Sequence, residues 1–440
     1  MKHALRLTLP AFLLVSLSTS LHAQDWPQWR GQNRDGKAVE FKAPQTWPKE
    51  LTQKWKVTVG EGVATPALVG DKLYVFSRED GNEVLRCMEA ATGKEVWQEK
   101  YESQGAQGPA AGFSGPRSSP TVADGKVVTL GVRGVLSAVD AATGKKLWRK
   151  TDIRGWPNFF TSSSPLVANG LCIAQLGGRD NGMTVAYDLA TGEEKWKATD
   201  EAPAYASPVM MTASGVKLSL IMTDAKIIAL NAADGKRVWE APFAAQGMGG
   251  YNAATPVVDG ATIYYSGSRR GVKAVKLEKG NEGFTAKELW TNPEKSVQFN
   301  SPILKDGFLY GLTDKNELFC LNAQDGKTAW SAPISDTPPA AGAGAGGQPG
   351  GGGAPGGGGG PRRGGGGGRG GGYGSLVDAG KAILALTPSS QLVVLEPSGK
   401  EFKKLASYKV AESQTHAYPV ASGNRIFIKD KDSVILWTVE

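Results

Sequence analysis

Leu136-Ser-Ala-Val-Asp140-Ala-Ala-Thr143-Gly144-Lys145-Lys-Leu-Trp148 reads as a strand, a tight turn and a second strand ending in tryptophan. The pattern returns as Val185-Ala-Tyr-Asp188-Leu-Ala-Thr-Gly192-Glu-Glu-Lys-Trp196 and as Ile228-Ala-Leu-Asn231-Ala-Ala-Asp-Gly235-Lys-Arg-Val-Trp239. It appears again as Leu318-Phe-Cys-Leu-Asn322-Ala-Gln-Asp-Gly326-Lys-Thr-Ala-Trp330, and further copies end at Trp97 and Trp290. Successive tryptophans lie 40 to 51 residues apart, the period of a propeller blade of four short strands. In the turn, Asp or Asn can bond the backbone and Gly takes the positive φ that closes the hairpin. A large aromatic at one register in successive units is expected to wedge between blades.

Working outward, each copy is preceded by Thr65-Pro66, Ser119-Pro120, Ser164-Pro165, Ser207-Pro208, Thr255-Pro256 or Ser301-Pro302 and then by two short apolar runs. Each unit is therefore four strands, A to D, with the proline, which lacks a donor, at the first residue of strand A. A seventh unit begins near Ser375, with Leu405 expected where the tryptophan would stand. An eighth begins at Pro419 and reaches Trp437 before any strand D. The run Leu51-Thr-Gln-Lys54-Trp55 matches the missing strand. The expected fold is thus all-β: an eight-bladed propeller of four-stranded blades, closed by the N-terminal strand around Trp55, with Trp55, Trp97, Trp148, Trp196, Trp239, Trp290 and Trp330 between blades.

The organisation around this ring is equally legible. Residues 1–23 read as a cleaved signal peptide: Lys2 and Arg6 precede an apolar run too short to span a bilayer, and Ala23 ends it. No cysteine follows the cleavage point, so a periplasmic or secreted protein without a lipid anchor or transmembrane segment is expected. Residues 24–50 form a lead segment and 51–440 the propeller, with a disordered glycine-rich insert at 338–374. Removal of the signal takes Lys2 and Arg6 from a net charge of +8, leaving +6, and three of those charges (Arg362, Arg363, Arg369) lie in the insert. The charge therefore gives no case for nucleic acid as a partner.

Chemistry has little material. His416 is the one histidine left after the signal, which leaves no His-ligated metal and no Ser-His-Asp triad. Cys87 and Cys320 share the register of Ala138, Ala186, Ala229, Ala274 and Val394, and Cys172 replaces an apolar strand residue, so three free buried thiols are expected.

Together the Ser-Pro and Asp-x-x-Thr-Gly-Lys-x-x-Trp elements resemble the pyrroloquinoline-quinone-like repeat family. The lead segment Asp25-Trp26-Pro-Gln-Trp29-Arg30-Gly31-Gln-Asn-Arg34-Asp-Gly36 is similar to one preceding exported propellers of that family, and Trp26 and Trp29 are expected to dock on a propeller face. The resemblance implies either a quinone-dependent alcohol or sugar dehydrogenase or a scaffold similar to the propeller subunit that assists outer-membrane β-barrel assembly. In the family's enzymes the cofactor lies over the channel beside a disulfide of adjacent cysteines, a calcium ion and a catalytic aspartate. Here the cysteines are isolated, and no acid matches the calcium ligands. No catalytic or metal residues and no cofactor are expected, quinone with calcium being the alternative that lacks a supporting motif.

The expected function is an exported, monomeric binding or scaffold propeller. It would hold an envelope protein, or a glycan or small anionic ligand, on the face carrying the D–A and B–C loops. The expected ligand-binding residues are Arg117, Ser163, Tyr205, Tyr251, Asn252, Gln298, Asn300, His416 and Tyr418, in an aromatic-rimmed funnel made basic by Arg133, Arg179, Arg269 and Arg270 in the B–C turns.

Overall fold

The computed structural model describes residues 25–245, 251–334 and 373–440. The expected signal peptide and all of the glycine-rich insert except Tyr373 and Gly374 lie outside them.

Eight antiparallel sheets of four strands form the propeller. The innermost strands are Ala67–Val69, Thr121–Ala123, Leu166–Ala168, Val209–Ala213, Val257–Asp259, Ile303–Lys305, Ser375–Asp378 and Val420–Ser422, numbered here as blades 1 to 8. Each of the seven Pro residues (Pro66 to Pro419) stands one residue before its strand rather than at its first position, so the missing N–H costs no ladder bond. Blade 8 takes its outermost strand from the other end of the chain: Thr52–Thr58 pairs antiparallel with Ser433–Thr438, with Trp55 opposite Leu436. The closure completes the ring and leaves only the edges of the individual four-stranded sheets.

The small residue of strand C has a cross-strand reason. Cys87 faces Trp97, Ala138 faces Trp148, Ala186 faces Trp196, Ala229 faces Trp239, Ala274 faces Trp290 and Cys320 faces Trp330. Register shifts directly after each pair, a bulge that re-aims the tryptophan toward the next blade. The indole N–H then donates to that blade's C–D turn: Trp55 to Ala90 O, Trp97 to Ala141 O, Trp148 to Leu189 O, Trp196 to Ala232 O, Trp290 to Ala323 O and Trp330 to Ser398 O, at 2.7 to 3.2 Å. The turn glycine lies flat under the ring. A methyl group at Gly192 would sit 2.7 Å from Trp148, and one at Gly93 2.9 Å from Trp55. Asp140 completes the turn by accepting from Thr143 N and Oγ1 at 2.8 and 2.7 Å.

Two blades depart from the rule. Blade 5 replaces the turn by a long hairpin, Val272–Gly280 with Gly283–Asn292, and Trp239 joins Phe284 and Ala286 in packing against a hydrophobic cluster that includes Leu277. In blade 7 the tryptophan register, opposite Val394, is held by Ala406 and not by Leu405, which is 38% exposed like its counterparts Val96, Leu147 and Leu289. Blade 8 assembles its last two strands from opposite ends of the chain, so there is no C–D turn for a blade 7 tryptophan to cover.

Cys87, Cys172 and Cys320 are free and buried. Among the described residues no helix is long and apolar enough to cross a membrane.

Candidate functional site

The innermost strands are short and surround a central channel. The lead segment fills it. Trp26 bridges Leu68 of blade 1, and Val122 N of blade 2 donates to Pro27 O at 2.7 Å. Arg34 donates to Ser164 O at 3.1 Å, Pro208 O at 2.9 Å and Pro165 O, joining blades 3 and 4. Trp29 Nε1 reaches Thr255 Oγ1 of blade 5 at 3.4 Å, Arg30 donates to Pro302 O of blade 6 at 2.5 Å, and Gly36 and Ala38 bond Asp378 of blade 7. Trp29 packs edge-on against Tyr418 of blade 8 at 4.7 Å. The stretch from Trp26 to Ala38 therefore touches every blade. The two tryptophans lie inside the channel rather than on a propeller face, because the unfilled volume is there.

Above the plug runs a belt of hydroxyls. Thr65 N donates to Ser119 Oγ, Ser119 N to Ser164 Oγ, Ser164 N to Ser207 Oγ, Ser207 N to Thr255 Oγ1, Thr255 N to Ser301 Oγ and Tyr418 N to Thr65 Oγ1, all at 2.9 to 3.1 Å. Each Ser or Thr before proline accepts from the preceding blade, which satisfies a buried N–H that no strand pairs.

Two residues before each belt position stand Val63, Arg117, Ser162, Tyr205, Ala253, Phe299, Tyr373 and His416, at the loop mouth of the channel. Their aromatic members join with Phe113, Phe159 and Tyr251 into a continuous floor. His416 meets Phe113 at 4.8 Å and Tyr373 at 5.2 Å, Tyr373 stacks on Phe299 at 4.2 Å, and Phe299 meets Tyr251 at 6.2 Å. Tyr251 meets Tyr205 at 5.6 Å and Phe159 at 5.0 Å. These rings are half-buried. Arg117 donates to Phe113 O at 2.9 Å and Ala110 O at 3.2 Å, which holds the short helix Gly108–Phe113 over the mouth. Burial holds the His416 imidazole down to about 4, so it is neutral at pH 7.

The structure divides the residues expected at the site. Arg117, Tyr205, Tyr251 and His416 belong to the mouth, and half-buried Gln298 adjoins it. Ser163 is buried with Oγ on Gln175 Oε1 at 3.2 Å. Asn252 is buried and donates to Thr223 O and Phe243 O, both at 2.8 Å, while Asn300 donates to Leu312 O at 2.6 Å. Tyr418 lies inside the channel beside Arg30. Phe299 and Tyr373, absent from the expected set, are central to the floor; the alternation of side chains from the belt serines would have found them.

Two of the four arginines expected to make the funnel basic are engaged within the fold. Arg270 is engaged with Phe243 O and Asn252 Oδ1, both at 2.7 Å, and Arg133 stacks on Trp156 at 4.8 Å. Arg179 and Asp180 edge a groove of about 480 Å³ walled by Lys197, Thr199, Asp200 and Glu201 of the outermost strand of blade 3 and the residues after it. Nor do the residues present fit a quinone with calcium. The eight mouth positions carry no carboxylate, and among the described residues no three His, Cys, Asp or Glu side chains gather as a metal site.

Comparison with known proteins gives a consistent picture. A family profile described as outer membrane protein assembly factor BamB matches residues 45–179 and 81–332. The assembly factor of Burkholderia pseudomallei is 29% identical over 199 residues, 44% of this chain and 46% of that one. The quinohemoprotein alcohol dehydrogenase of Comamonas testosteroni is 28% identical over 185 residues, 39% of this chain and 25% of that one. The chain thus spans about half or less of the length of these relatives. Among solved structures, BamB of Moraxella catarrhalis superposes with a TM-score of 0.58 at 15% identity, covering 88% of this chain and 99% of that one, a likeness of fold.

Proposed function

The chain belongs to the pyrroloquinoline-quinone-like propeller family, and on that premise we propose that it is an exported, non-catalytic propeller holding a protein of the cell envelope against its loop face. One observation carries this reading. The channel over which a cofactor would lie is filled by the chain's own lead segment, and its mouth is a half-exposed aromatic floor without a carboxylate. Such a floor offers apolar area with little entropy to lose on binding, which suits capture of a partner side chain or an extended segment. The leader-like residues 1–23 and the assembly-factor relatives support an envelope location.

The test is site-specific photocrosslinking in the native host. A crosslinker at Tyr251 or Phe299 is expected to trap one defined envelope protein. The same group at Glu193, in a C–D turn on the opposite face, is expected to trap none. Equal labelling from both faces would overturn the assignment of the loop face. Replacing Tyr205, Tyr251 and Phe299 by Ser together is expected to abolish the adduct while leaving the fold intact.

A further inference from the structure

Arg30 and Arg34 enter the same channel four residues apart and are both fully buried. All three nitrogens of Arg34 have acceptors, Nε on Gln28 Oε1 at 2.8 Å and the others on carbonyls of blades 3 and 4. Arg30 uses Nη2 alone, toward Pro302 O and Asp35 O; its Nε and Nη1 are buried without a partner among the described residues. No carboxylate pairs with it: Asp35 Oδ1 instead accepts from Lys37 N at 3.1 Å.

Two further groups share this sector. The ring of Tyr418 lies 5.9 Å from the Arg30 guanidinium carbon, and its hydroxyl is buried and unpartnered. Ser375, in the blade between those of Pro302 and Tyr418, has a buried, unpartnered Oγ. The belt of hydroxyls is interrupted at the same place, between Ser301 and Tyr418.

We propose that these donors hold one small monovalent inorganic anion of the halide class, bound by Arg30 Nε and Nη1 with the hydroxyls of Tyr418 and Ser375. Water could fill hydrogen bonds here but brings no charge, and the nearby carboxylate of Asp35, which acts on the guanidinium from a distance, makes no ion pair with it; a buried cation without a contacting counter-charge is strongly unfavourable. The guanidinium offers only donors, and the two hydroxyls can donate as well, so the cluster selects a guest that only accepts. The site is enclosed, Arg30 being fully buried, which disfavours phosphate or an organic acid.

The full chain is refolded from urea in sodium chloride, sodium bromide or sodium gluconate at equal ionic strength, so that the enclosed site fills at equilibrium. A saturable rise of the urea midpoint in the two halides over gluconate is expected. Tyr418→Phe and Ser375→Ala are expected to move half-saturation about tenfold higher, since each removes one hydrogen bond to a charge. Arg30→Met should abolish the halide dependence; if it fails to fold, the two hydroxyl variants decide. General salting effects act alike on wild type and variants, so the difference isolates the site. Crystals grown in bromide should show an anomalous peak beside Arg30. Identical halide responses in wild type and variants, or only a water peak there, would overturn the proposal.

Discussion

The arc of blades 1 to 5 and the arc of blades 6 to 8 solve the same packing problem by different means. In the first, the hydroxyl belt is unbroken and Arg34 of the plug finds an acceptor for every nitrogen. In the second, blade 7 has Ser375-Leu376 where blades 1 to 6 have Ser-Pro or Thr-Pro, Ala406 stands at the tryptophan register, and Arg30 is left half-partnered. Repetition is therefore a chemical economy: each Ser-Pro satisfies its neighbour's backbone, and each Trp but Trp239 covers its neighbour's turn. Where the motif lapses, non-repeating parts take over, among them Trp437, whose Nε1 donates to Val410 O at 3.1 Å, and the lead-segment carbonyl Pro48 O, which accepts from Tyr408 at 2.6 Å.

The contrast can be broken most forcefully at Arg34. Arg34→Met leaves carbonyls of blades 3 and 4 unpaired and is expected to cost about 3–5 kcal/mol in urea unfolding. Arg30→Met should cost less than half as much, and equal losses would erase the distinction between the arcs. The turn glycines come next. Gly235 has φ +71° and lies under the Trp196 ring, whereas Gly423 has φ +59° and open space around it. Gly235→Ala should therefore destabilise by roughly 2–4 kcal/mol and Gly423→Ala by about 1 kcal/mol. Similar losses at both would mean that backbone strain alone matters and the indole cover does not.

Acid sensitivity should belong to the irregular arc. The His416 imidazole is held at about 4 by burial, below its ordinary 6.5, so unfolding takes up a proton between those values. Its stabilising share is complete above pH 6.5 and is lost as pH falls toward 4, an expected drop of about 1–2 kcal/mol by pH 5. His416→Phe should flatten that slope in a pH series of unfolding midpoints, and an unchanged slope would place the acid-sensitive group elsewhere. The smallest effect separates two serines. Ser164→Ala removes the acceptor of Ser119 N and should cost about 1 kcal/mol, while Ser375→Ala in halide-free buffer should stay within about 0.5 kcal/mol.

Most of the ring could be read from the residues because each blade repeats the same local solution. The Thr-Gly turn, the small strand C residue and the tryptophan keep one spacing, and the unpaired strands at Trp55 and Trp437 required each other. The plug was not legible in the same way. Trp26, Trp29, Arg30 and Arg34 read as an appended segment because their partners are scattered over separate blades, which no local spacing records. The mouth was half legible. Tyr205 and His416 stand out as polar residues before strand A, whereas Ser163 and Asn300 are one position out of phase and point into the fold. Phe299 carries no polar atom to mark it in the sequence, although a stacking floor needs none.

The central claim, a propeller whose channel is closed by its own lead segment and which performs no quinone chemistry, is met most directly by titrating the purified protein. Pyrroloquinoline quinone and calcium are added while tryptophan fluorescence and dye-linked alcohol oxidation are followed. The account predicts neither saturable quenching nor turnover. Saturable quenching accompanied by turnover would contradict it and require the plug to leave the channel.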